Sequence, residues 1–86
     1  MISEPRPEFW VLYHRLPGGA KAAARKSYVL FMQNPGHPSL RFKPLEGDEG
    51  VWSVRVNQKY RSVGVRYGEV IQWFWIGTHN EFDKVF

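Results

Sequence analysis

Residues 51–67 read VWSVRVNQKYRSVGVRY, and within them Trp52, Val54 and Val56 alternate with Ser53, Arg55 and Asn57. Period two is the signature of a β-strand with one face buried and the other in water. Asn57-Gln58-Lys59 supplies turn chemistry, so a second strand over Tyr60–Tyr67 is expected to fold back on the first as a hairpin. Gly68-Glu69 predicts a further turn into Val70–Ile76, where every residue except Gln72 is apolar. Such a run is expected of a central strand covered on both faces, with Trp73, Phe74 and Trp75 in the core. Leu40–Leu45 is a weaker strand candidate, and Glu46–Gly50 (EGDEG) reads as an exposed, solubilising acidic loop. Strict alternation from Tyr60 puts Arg61 on the side of Val63 and Val65, which requires either a bulge or a face that is only partly apolar.

Upstream of this region the period changes to that of a helix. Phe9, Leu12, Tyr13 and Leu16 recur at helical spacing, as do Ala20, Ala24, Tyr28 and Phe31, and both Tyr28 and Phe31 are expected in the core. Pro17-Gly18-Gly19 breaks the run, so two helices form a hairpin. The second, rich in the helix formers KAAARK, ends at Asn34-Pro35-Gly36 because proline cannot continue a helix and restricts the residue before it. His37, in the turn before Pro38, is expected to hydrogen-bond locally. The resulting fold class is α+β: an N-terminal αα-hairpin packed on one face of a small antiparallel sheet of about four strands, in a single domain spanning residues 1–86. The uncovered face is the candidate site.

Composition excludes several function classes. There is no cysteine, which removes disulfides, thiolate metal sites and a thiol nucleophile. The N-terminal MISEPRPEF has neither a basic nor an apolar leader segment, and the longest apolar run is too short to span a bilayer. A cytoplasmic protein without membrane association is expected. The net charge of +4 and a pI near 9.7 favour an acidic partner, either nucleic acid or an acidic protein segment.

The cations are not scattered. Arg41, Lys43, Arg55, Lys59, Arg61 and Arg66 are interleaved with apolar residues along the predicted strands, and the last strand runs into His79. No Gly-rich phosphate loop is present, and His14, His37 and His79 lack metal-ligand spacing, so neither a cofactor nor a metal is expected. Cations beside an imidazole suit RNA cleavage without a metal. The ribose 2′-hydroxyl attacks its own phosphate, and the protein must hold the backbone in line, move protons and stabilise the added charge.

NPGHPSLRFKPL (34–45), WSVRVNQKYRSV (52–63) and FWIGTHNEFDK (74–84) together resemble the RelE/ParE superfamily of bacterial toxin–antitoxin toxins, over essentially the whole chain once the two helices are included. The resemblance implies a ribosome-dependent endoribonuclease that cuts mRNA in the ribosomal A site, with a cognate antitoxin as protein partner. On that basis Tyr60-Arg61 is similar to the family's Tyr-Arg step, whose arginine meets the reacting phosphate. Arg55 matches a position that carries lysine in RelE-like enzymes, and Lys43 a position held by a basic or acid–base residue. His79 is similar to a C-terminal histidine that some members use in general acid–base catalysis. The implied catalytic set is Arg61, His79, Arg55 and Lys43, with Arg41, Lys59, Tyr60 and Phe82 contacting RNA. The pattern departs at Ser53, where the archetype has a second lysine, and at Phe82, where many relatives have tyrosine. Phe82 can stack on a base but cannot transfer a proton. The superfamily also contains ParE-type inhibitors of DNA gyrase, which are not nucleases, and a degenerate member that binds only RNA or an antitoxin is a third alternative.

Overall fold

The structure, a computed structural model, describes all residues from Met1 to Phe86. Strand β1 (Ile2–Pro5) leads into helices α1 (Pro7–His14) and α2 (Gly18–Gln33). A short 3-10 turn (Pro38–Leu40) precedes β2 (Lys43–Leu45), β3 (Asp48–Arg55), β4 (Tyr60–Tyr67) and β5 (Val70–Thr78), and helix α3 (His79–Val85) closes the chain. The five strands lie in the order β1-β5-β4-β3-β2; β1 runs parallel to β5 and all other pairs are antiparallel. The α+β architecture is as expected, with a fifth strand and a third helix added. No helix is long and apolar enough to cross a membrane.

The helix hairpin forms with its break two residues earlier than predicted. Pro7 occupies the first turn of α1, where its missing N–H costs nothing, and Glu8 follows it. The chain turns over Arg15–Pro17, and Gly18 and Gly19 already belong to α2. Ala20 and Phe31 are buried on the stripe that faces the sheet, and Ser27 on the same stripe donates to Val56 O at 2.8 Å. Tyr28 is therefore rotated off the core and is 43% exposed, contrary to expectation. It borders an apolar cleft of about 530 Å³ between α1, α2 and the sheet, with Phe9, Trp10 and Tyr13 on the opposite wall.

The core is Phe31, Leu40, Val54, Ile71 and Trp73, with Phe9, Leu30, Phe42 and Trp52 packed against it. Burying each such side chain is worth roughly 1.5–3 kcal/mol, so this layer holds the helices to the sheet. The predicted strand over Leu40–Leu45 is shortened to Lys43–Leu45 by two local events. Pro38 opens the 3-10 turn, where His37 Nδ1 accepts from Ser39 N at 3.2 Å, and Arg41 then adopts a left-handed conformation with φ 45°. In the acidic loop only Glu46-Gly47 is turn; Asp48–Gly50 continues as the exposed start of β3.

The difficulty over Arg61 resolves in favour of a partly apolar face. The β3–β4 register runs without interruption, Ser53 facing Val63 and Arg55 facing Arg61, so Arg61 shares its face with the fully buried Val63. A bulge does occur, but in β5: Val63 pairs with Trp75 and Gly64 with Trp73, leaving Phe74 extra. Ser62 closes it by donating to Trp75 O at 2.9 Å. The bulge also explains Gly64, since a Cβ there would lie 2.7 Å from Gln72 O. It turns both Phe74 and Trp75 towards Phe86, just past the end of α3, so β5 is covered on its second face as well.

Candidate nucleic-acid interface

The tip of the β3–β4 hairpin carries the site. Asn57 Oδ1 accepts from Lys59 N and Tyr60 N, both at 2.9 Å, which fixes the turn. Behind it, Arg55 and Arg61 stand directly opposite one another on the face away from the helix hairpin. Arg61 Nη1 donates to Asn57 O at 2.7 Å and to Tyr60 O at 3.0 Å, so the guanidinium is tethered through one nitrogen while Nε and Nη2 have no protein partner. Lys43, paired with Ser53, lies one row along the same face.

These cations lack counter-charges within ion-pairing distance. The single ion pair closer than 4 Å in the chain is His79–Asp83. Burial lowers the pKa of Arg61, and the nearby Arg55 and Arg41 lower it further, with Asp83 opposing them. Arginine remains charged through such a shift, and only the part due to Arg55 and Arg41 reflects the positive charge gathered at this spot. Like charges set opposite each other on a sheet destabilise it, so the arrangement is a cost to the fold that an incoming anion would relieve.

Helix α3 supplies the second half of the site. Thr78 caps it: its Oγ1 accepts from Glu81 N at 3.1 Å, while Glu81 Oε1 accepts from Thr78 N at 2.8 Å. The backbone N–H of His79 donates to Lys59 O at 2.6 Å, locking the helix start to the hairpin tip. The His79 side chain is half-exposed, with Nε2 at 3.4 Å from Asp83 Oδ2, while Nδ1 is buried with no hydrogen-bond partner. Phe82 stacks near-parallel to the His79 ring and packs with Phe86 against Trp75. Beneath them Gly77 leaves room for Trp75, whose ring atoms would lie 2.6 Å from a Cβ.

The structure thus brings Arg41, Arg55 and Arg61 together, with Lys43 beside them and the His79–Asp83 pair at their border. Lys59 is exposed at the tip. Tyr60 precedes Arg61 in the strand and so projects from the opposite face, towards the helix side, apart from the cations. One feature escapes a reading of the sequence alone. Asp83 is linked to both His79 and Arg61 only because α3 folds back over the sheet. That helix did carry a legible signal, Thr78-x-x-Glu81 before Phe82. No group of three or more His, Asp or Glu side chains converges anywhere in the chain. Chemically, the site offers unpaired guanidinium groups for a phosphate, an imidazole in contact with a carboxylate for proton transfer, and an aromatic edge for a base.

A family profile described as the ParE-like toxin domain matches residues 21–84, from the start of α2 to the last turn of α3. The YoeB/ParE toxin from Agrobacterium tumefaciens has the same fold, with a TM-score of 0.67 at 20% identity over 92% of this chain and 99% of that one. The isolated RelE toxin of E. coli gives 0.66 at 14% identity, covering 98% and 94%. YafQ, also from E. coli, gives 0.64 at 13%, covering 93% and 94%. No curated protein sequence matches the chain. With a profile match across most of its length and a fold shared with these toxins, the chain belongs to the ParE-like toxin domain family, within the RelE/ParE superfamily of toxins.

Proposed function

We propose that this toxin is a ribosome-dependent endoribonuclease that cleaves mRNA in the A site, held in check by a cognate antitoxin. The observation that supports it is the cluster of Arg41, Arg55 and Arg61, with no carboxylate within ion-pairing distance, bordered by His79. Arg61 stabilises the charge that builds on the phosphate, using the nitrogens its backbone tether leaves free. Lys43 and Arg55 position the RNA backbone; Arg41 and Lys59 extend the contact, and Phe82 stacks on a base. The 2′-oxygen bonds to phosphorus as the 5′-oxygen departs, His79 protonates that leaving oxygen, and the 2′-hydroxyl proton passes to solvent. Tyr60, on the other face, serves the hairpin rather than the phosphate. The antitoxin is an amphipathic, acidic segment that neutralises the cations and packs on exposed apolar side chains such as Trp10, Val29 and Met32.

A second reading is a ParE-type inhibitor of DNA gyrase without nuclease activity, favoured by the ParE-like profile and by two positions in the site. Ser53 is 5% exposed on the cationic face where the archetypal nuclease has a lysine, and Phe82 has no hydroxyl. Separate Arg61→Ala and His79→Ala variants discriminate. Each is expected to lose growth inhibition and RNA cleavage by at least about a hundredfold, the low end for removing a charge-stabilising or proton-transferring group. Full toxicity in both variants would remove these residues from the mechanism.

A further inference from the structure

β2 begins only at Lys43, opposite Ser53, so Arg55 and the turn residues that follow it to Gln58 have no strand beside them on that side. The exposed edge is not simply solvated. It forms one wall of a cleft of about 410 Å³, with α2 and the 3-10 turn as the others. Lys26, Ser27, Ser39, Arg55, Asn57 and Gln58 are its polar lining, and no carboxylate lies on its walls. Neither Lys26 nor Arg55 is in an ion pair. One edge carbonyl, Val56 O, is taken by Ser27 Oγ at 2.8 Å, which holds the hairpin to α2 and keeps the cleft's shape. Asn57 has its Oδ1 fixed by two backbone N–H groups at 2.9 Å, so the direction of its Nδ2 donor is set in advance. Gln58 makes no hydrogen bond through its side chain and can both donate and accept. The size falls within the range of small-molecule sites. Arg55 sits at the border of both places: it lines this cleft at the sheet edge, while its side chain stands on the far face opposite Arg61.

We propose that this cleft is a second subsite for single-stranded RNA, in which Lys26 and Arg55 hold a phosphate next to the one at Arg61 and the Asn57 and Gln58 amides meet the adjoining nucleotide. The inference rests on the RNA-cleaving reading of the neighbouring site. Arg55 would then be the shared post between two consecutive phosphates, and α2 would contribute to substrate binding through an exposed lysine that the strand pattern does not reveal.

The test is fluorescence anisotropy of the full chain with a labelled, 2′-O-methylated single-stranded oligoribonucleotide, titrated at several salt concentrations. Lys26→Gln is expected to bind about fivefold more weakly at 0.1 M salt and to reduce the slope of log K against log salt by about 0.7, the value for one phosphate of a single strand no longer neutralised. Lys26→Arg should restore both. If Lys26→Gln matches the wild type while Arg61→Ala weakens binding, the cleft lies off the RNA path and the subsite is wrong although the neighbouring site stands. If neither variant changes binding, or the wild type does not bind, both readings fail. A loss in Lys26→Gln confined to an acidic poly-glutamate peptide, with RNA binding intact, would reassign the cleft to a protein partner and overturn the proposal.

Discussion

Arg61 and Arg55 face each other across two strands with no carboxylate within ion-pairing distance, and that pairing works against the fold. Directly opposed like charges raise the energy of a sheet by an amount comparable to the roughly 0.2–1 kcal/mol gained from an opposite-charge pair. Replacing one of them with a strand-favouring neutral residue should therefore help stability while harming function. Arg55→Thr is predicted to raise the urea unfolding free energy by about 0.5 kcal/mol and to reduce mRNA cleavage. A variant that unfolds more easily than the wild type would show instead that Arg55 packs for structure. The same residues explain why this part of the site was legible. Alternation in Trp52–Asn57 and a short hairpin fix the Arg55–Arg61 pairing by local rules alone. Arg41 was legible as a cation but not as a neighbour of Arg61, because its place depends on the left-handed backbone after the 3-10 turn.

Among the α-helices, α3 is the shortest, with seven residues and none of them buried. Its start is held by the Thr78–Glu81 capping box and one bond to the hairpin tip, and its body by Phe82 and Phe86 on Trp75. Hydrogen bonds from the Thr78 backbone N–H and then from its hydroxyl hold the Glu81 carboxyl below the ordinary glutamate range. A depressed carboxylate pKa stabilises the folded form above the ordinary value of 4.5, and that contribution is lost as the pH falls through the lowered folded value. Acid should accordingly fray α3, seen as a change in Trp75 emission that Glu81→Gln abolishes. Thr78→Ala should weaken the helix by about 1 kcal/mol at neutral pH. An acid transition unchanged in Glu81→Gln would assign it to another group. The helix was hidden in the sequence because THNEF follows directly on an apolar strand, although its cap was written there. β1 carried no comparable signal. Its four residues include Glu4 and Pro5, poor strand formers, and they pair only because Val70–Trp73 offers an edge and Trp73 Nε1 reaches Ser3 Oγ at 2.7 Å.

Across the whole molecule the two faces of the sheet divide the work. The helix side buries the core, which local periodicity announces; the other side places cations at the hairpin tip and an aromatic helix beside them, which only the tertiary fold assembles. The division gives one surface to hold the structure and another to meet an anion. In the proposed function the cationic face acts on mRNA. The most direct measurement is pulse induction of the wild type and of Arg61→Ala in a bacterial host, following protein and DNA synthesis separately while mapping mRNA 5′ ends. Translation should stop first, with new ends falling within translated codons in phase with the reading frame, and Arg61→Ala should produce none. Intact mRNA with DNA synthesis failing first would contradict the claim and point to gyrase.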